Sequence, residues 1–169
     1  MHRLTAGLLL LLLLAACAAP VVTGPGYRDV ATPIYSSAVL QTEGLSGRWV
    51  QVAAFGATTS RCTPGGAEFT PAAGAMQATL RLCLGKDEVR SSGPLTPAGP
   101  ARFAVNGFAD PWWVLWADAD LRTLVIGTPS GTFGFILNRD GALPADRLAA
   151  AREILDWNGY DLTQLRVWP

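Results

Sequence analysis

The sequence predicts an all-β domain, a sandwich or barrel, with a single helix close to its C-terminus. After Gly44, short apolar runs are broken by Gly and Pro roughly every 8 to 12 residues, the punctuation of many short strands. The residues Met76, Gln77, Ala78, Thr79, Leu80, Arg81 and Leu82 alternate strictly between apolar and polar, which is the period of a strand with one buried face. One stretch alone, 143–158, carries apolar residues at helical spacing, namely Leu148, Ala151, Ile154 and Leu155.

The first segment is read as a leader. Arg3 precedes an apolar run from Leu4 to Leu14, which leads into Ala15, Ala16 and Cys17. Such a run is shorter than the about 20 residues of a spanning helix and ends in small residues, as a cleavage site does. The small residues before Cys17 resemble the lipobox of bacterial lipoproteins. That resemblance implies diacylglycerol on the thiol, cleavage before Cys17 and acylation of the new amino group by a chain such as palmitate. Several acyl chains hold a protein to a bilayer where one is marginal. Residues 1–16 are thus expected as signal peptide, 17–44 as lipidated cysteine and tether, and 45–169 as the domain. By the same resemblance, Ala18 after the lipidated cysteine, where an aspartate favours inner-membrane retention, implies the periplasmic face of an outer membrane in a two-membrane organism.

Removal of the leader restricts the chemistry. The one histidine, His2, goes with it, and so do histidine acid-base catalysis, serine-histidine triads and histidine-ligated metal. No enzyme activity, cofactor or metal is expected. Loss of Arg3 from 13 basic residues leaves 12 against 13 acidic ones, with no basic stripe to meet phosphates, so nucleic acid is not an expected partner. Of the three cysteines, Cys62 and Cys83 remain as an even pair in an oxidising compartment, where a disulfide is the default.

The tether is rich in Pro, Gly, Ser, Thr and Ala, yet Tyr27, Ile34, Tyr35 and Leu40 are apolar enough to dock on the domain. Ala67, Glu68, Phe69 and Thr70 alternate like the strand that follows them, with 71–75 as a turn. A hairpin with Phe69 opposite Met76 sets Glu68 against Gln77 and Thr70 against Ala75. The same register carried outward brings Cys62 opposite Cys83 on the wet face, an exterior clip at cross-strand bridging distance. Residues 112–117, 121–127 and 132–138 read as a three-strand meander, apolar on both faces and so requiring cover on both. The helix supplies that cover from outside; Pro144 suits its first turn, Asp146 the positive end of its dipole and Gly159 the position past its end. Residues 162–168 read as a short closing strand.

Three segments in order resemble the lipocalins, especially the bacterial lipocalin and apolipoprotein D branch. They are Gly47, Arg48 and Trp49, like the G-x-W motif; 113–125, with Asp118 in the place of the family's turn aspartate; and Phe135, Ile136, Leu137, Asn138 and Arg139, like the strand ending in an arginine. Ala117 and Ala119 depart from the family's turn, and the stretch between Phe55 and Pro111 is short for four strands. The resemblance implies an eight-stranded up-and-down antiparallel barrel with the helix packed outside. It also implies Trp49 at the closed end under the Arg139 guanidinium, as structural closure. Function by resemblance is that of a monomeric carrier of small hydrophobic ligands such as fatty acids or lysophospholipids. Alternation carried back from Arg139 points Phe133, Phe135 and Leu137 inward, and with them Trp112, Val114, Trp116, Thr123 and Val125. Phe55, Phe69, Met76, Leu80 and Phe103 complete the expected ligand-binding set. Trp113, Leu115, Leu124 and Ile126 are expected outward, and Gln51, Thr123 and Arg102 are candidates for holding a head group. The alternative is a filled barrel whose loops, 57–61, 107–111 and 128–131, bind another envelope protein.

Overall fold

A computed structural model describes residues 26–56, 61–72 and 75–169. The leader, Cys17 and the start of the tether lie outside the described residues. Eight strands follow one another: β1 (Gly47–Phe55), β2 (Gly66–Ala72), β3 (Ala75–Leu84), β4 (Asp87–Gly99), β5 (Arg102–Val105), β6 (Trp112–Ala117), β7 (Thr123–Gly127) and β8 (Gly134–Asn138). Each pairs antiparallel with the next, and β1 pairs with both β8 and β2, which closes the ring. Helix α1 (Ala145–Trp157) lies outside, and β9 (Leu165–Val167) returns to pair with β1 at Ala53–Phe55. That strand covers the part of the β1 edge that β2 does not reach, an edge that would otherwise stand open.

Two apolar layers result. The inner one fills the barrel and includes Trp49, Phe69, Leu80, Phe103, Trp112, Leu124, Ile126 and Phe135. The outer one lies between sheet and helix and joins Val52, Ala53, Phe55, Leu115, Val125 and Ile136 to Ala151, Leu155 and Tyr160. Both faces of the meander are therefore buried, as its composition demands.

The hairpin of β2 and β3 keeps its expected faces but not its expected register. Pairing runs to Ala72 opposite Ala75, so only two residues remain for the turn, and Phe69 faces Ala78 instead of Met76. A shift of two residues preserves the alternation. Cys62 and Cys83 are bonded nevertheless, because Cys62 sits in the irregular chain ahead of β2 and approaches β3 from there. The clip is not a wet one, since Cys83 is buried. Beside it the Gln51 side chain accepts from Cys83 N and donates to Cys83 O, both at 2.8 Å, at the point along β1 between its pairing with β2 and its pairing with β9.

Inward and outward positions differ from expectation where the ladder is irregular. In β6 the pairing with β7 shifts between Val114 and Trp116, so Leu115 and Trp116 both turn to the helix side. A similar shift in β1 between Gln51 and Ala53 turns Phe55 outward. Between β7 and β8, six residues form the loop, and an even loop pairs odd positions with even ones: Leu124 faces Leu137 and Ile126 faces Phe135. Leu124 and Ile126 are consequently inside, while Val125 and Thr123 are outside.

The later start of β7 also has a local cause. The Asp118 carboxylate accepts from the N–H groups of Arg122 and Thr123, and Leu121 takes a positive φ of 50°, so the chain is a turn until Thr123. Helix α1 is shorter than the 143–158 expected, with Pro144 as its N-cap and not in its first turn, while Gly159, φ 81°, lies past its end as read from the sequence. The closing strand expected at 162–168 splits into a 3-10 turn, Leu162–Gln164, and β9.

The expected tether is docked from Tyr27 onward. The buried Arg28 guanidinium donates to the carbonyls of Asn158 (2.9 Å), Pro129 and Thr32, tying the segment to the end of α1 and to the β7–β8 loop.

Candidate functional site

The barrel has a sealed end and an open one. At the sealed end the Arg139 guanidinium lies 3.7 Å over the Trp49 ring. It donates to Gly44 O (2.7 Å), Ser46 O (2.8 Å), Arg48 O (3.2 Å) and Leu121 O (3.3 Å), and Trp49 Nε1 donates to Leu45 O (2.7 Å). These bonds draw the 3-10 turn Thr42–Leu45 across the floor. Partial burial lowers the Arg139 pKa from its ordinary value. Gly47 is required here twice: its φ is 99°, and a Cβ would come within 3.1 Å of Arg139 Nη1.

At the open end the β3–β4 turn, the β5–β6 loop and the β7–β8 loop surround a recess of about 630 Å3. Its apolar wall is made by Tyr27, Leu84, Val89, Phe108 and Phe133, and its charged rim by Lys86, Asp87 and Asp110. Phe108 stands edge-on to Trp112 (5.2 Å) and to Phe133 (5.3 Å), and Trp112 edge-on to Phe135 (5.0 Å), so the floor of the recess is an aromatic stack descending into the barrel. Trp112 Nε1 is buried there without a hydrogen-bond partner among the described residues, a donor whose desolvation those residues do not repay.

The rim is held in shape. Asp110 accepts from Ser130 Oγ (2.7 Å) and Thr132 Oγ1 (2.9 Å). Tyr160 accepts from Thr128 N (2.9 Å) and donates to Phe133 O (2.9 Å), and burial pushes its phenol up to about 12. A Cβ at Gly134 would stand 2.8 Å from both Phe55 and Tyr160 ring atoms, so only glycine admits that packing. Burial, and then the charge of Asp87, raises the Tyr27 phenol as well.

Of the residues expected to line the cup, Phe69, Met76, Leu80, Phe103, Trp112, Val114, Phe133 and Phe135 are in the inner layer. Phe55, Trp116 and Val125 are not; the irregular ladders place all three against the helix side. The expected head-group residues are engaged elsewhere. Gln51 serves the Cys83 backbone, Thr123 Oγ1 donates to Asn138 Oδ1, and Arg102 lies 3.6 Å over Trp113 with Nε on Ser36. Sequence reasoning missed Phe108 and Tyr27, which come from irregular chain where no periodicity exists to read, and Leu84 and Val89, which stand at the facing ends of β3 and β4 beside their turn. A second hollow, about 670 Å3, opens near the sealed end between the 3-10 turn, the overhanging β2–β3 hairpin and β4. Its lining includes Met76 and Leu95 of the inner layer and none of the rings of the aromatic stack.

A family model described as a lipocalin-like domain matches residues 99–169. No curated protein matches the chain. Among solved structures, lobster apocrustacyanin A1 is similar at 17% identity over 75% of this chain and 78% of its own, with a TM-score of 0.53. Per a 4, a major allergen from cockroaches, is similar at 11% identity over 82% of this chain and 94% of its own, with a TM-score of 0.59. The closed eight-stranded barrel with one external helix is the lipocalin fold.

Proposed function

We propose that this chain is a binding protein that carries or sequesters small hydrophobic molecules, held by a lipidated Cys17 at the periplasmic face of a bacterial outer membrane. The observation that carries the reading is the recess of about 630 Å3 seated on the aromatic stack of Phe108, Trp112 and Phe133. Ligand sites are usually concave, mostly apolar and about 300 to 1,000 Å3, with few polar groups. A chain of about 16 carbons gains on the order of 12 kcal/mol on burial, against an association cost of about 4 to 15 kcal/mol, which is compatible with micromolar binding.

The rim refines the ligand class. Lys86 stands among Asp87 and Asp110, a mixed-charge edge that suits a zwitterionic lysophospholipid head group better than the bare carboxylate of a fatty acid. Saturable quenching of tryptophan emission by a lysophosphatidylcholine brominated on its acyl chain tests this. The larger part of the quenching should vanish in Trp112→Phe. Emission unchanged at millimolar lipid refutes the carrier reading.

A second reading has one observation in its favour. The inner aromatic rings already touch one another, as in a filled barrel that works through its loops. In that case brominated lipid leaves Trp112 emission unchanged, and an envelope protein co-purifies through 107–111 or 128–131.

A further inference from the structure

We propose that the surface around the C-terminus of α1 is a membrane-contacting face whose partner is a lipid bilayer of low net charge. Large apolar side chains stand exposed at Trp157 (75%), Val30 (68%) and Tyr35 (60%). They belong to segments bonded to each other. Asp29 N donates to Gly159 O (2.8 Å) and Tyr35 N to Asn158 Oδ1 (2.8 Å), while Arg28 Nε donates to Asn158 O (2.9 Å). Val30 and Tyr35 thus flank the turn that follows Trp157, on backbone that is pinned in place.

The chemistry of the patch fits an interface between water and lipid. Trp and Tyr have an apolar body and a polar edge, and both concentrate at the head-group level of membranes. The charged neighbours along these segments are Asp29, Glu153, Asp156 and Asp161 against Arg152 and Arg28, and the Arg28 guanidinium is buried on backbone carbonyls. This excess of acid repels acidic lipids and leaves a neutral, zwitterionic surface as the matching partner.

The path of the chain says what covers the patch. This step rests on the anchoring reading. Gly26 lies two residues before Arg28 and nine positions after Cys17; extended chain reaches about 3.3 to 3.6 Å per residue, so an anchored Cys17 holds Gly26 within roughly 30 Å of the bilayer. The adjacent Tyr27 also lines the open recess. Docking by the patch consequently brings the barrel's mouth beside the lipid, and an apolar ligand leaves the bilayer close to its site.

The test uses membrane-purified full-length protein in phosphatidylcholine vesicles with bromines at shallow or deep positions of the acyl chains. The emission of Trp157 is taken as the difference between wild type and Trp157→Phe, and the N-terminal peptide is weighed by mass spectrometry. Shallow bromines should reduce Trp157 emission at least twofold, deep ones less, and added acidic lipid should weaken the effect. With acyl chains present on Cys17 and Trp157 unquenched, the docking proposal fails and the anchoring reading stands. Quenching without acyl chains sinks the anchor and leaves the docking face. If neither is found, both fall. Self-association abolished by Trp157→Ala, with Trp157 unquenched by lipid, identifies a second copy as the occupant and overturns the proposal.

Discussion

Replacing Arg139 with alanine should cost about 3 to 4 kcal/mol of folding stability. Its guanidinium makes two short bonds to the carbonyls of Gly44 and Ser46 and two longer ones to those of Arg48 and Leu121. A hydrogen bond to a charged group contributes about 1.5 to 3 kcal/mol when buried. Arg139 is only half-buried, so the low end applies to the two short bonds and the longer pair adds little. The stacking on Trp49 at 3.7 Å contributes about another 0.5 to 1 kcal/mol. Urea unfolding followed by circular dichroism reads the loss as a lower midpoint with an unchanged slope. In a protein of this size the melting temperature should fall by roughly 6 to 16 °C. Arg139→Lys keeps the charge but not the planar fork, and should recover less than half. A loss below about 1 kcal/mol in the alanine variant refutes the reading of this pair as the floor of the barrel.

Opening the Cys62–Cys83 bond, which spans 21 residues, should destabilise the fold by about 3 kcal/mol, measured as the difference in urea midpoint with and without reductant. The Tyr160 phenol is raised from 10.0 to about 12 in the folded state; the stability this reflects is complete below pH 10 and is lost as pH rises toward 12. Unfolding free energy should therefore drop by roughly 2 to 3 kcal/mol across that window, and Tyr160→Phe should flatten the drop while lowering stability at neutral pH. Trp116 faces the helix side and Trp112 the stack, so Trp116→Ala should leave the affinity for lysophosphatidylcholine within about twofold while Trp112→Ala weakens it at least tenfold. Titration calorimetry on the two variants separates these outcomes.

Much of the architecture is legible in the sequence, and the illegible part has physical causes. Alternation is a strong signal in β2 and β3 because one face is wet; Arg81 and Gln77 mark it plainly. It fails in β6 and β7, where α1 covers the outside and the barrel fills the inside, so apolar residues stand on both faces and a bulge at Leu115 leaves no trace. The Trp49–Arg139 floor was legible only through a family motif, since no local pattern joins residues so far apart. The recess was the least legible feature. Phe108 and Tyr27 reach it from irregular chain, and the buried Arg28 that pins Tyr27 beside it looks in sequence like any solvated arginine in a linker.

Native mass spectrometry of the membrane-purified protein, taken without removal of lipid, tests the central claim most directly. An apolar ligand seated in the open end should appear as a discrete non-covalent adduct with the mass of one lysophospholipid or fatty acid. That adduct should disappear on denaturation, leaving only the covalent mass of the chain, and should be lost in Trp112→Ala. A bare protein peak under those conditions, unchanged after incubation with excess lysophosphatidylcholine, contradicts the account.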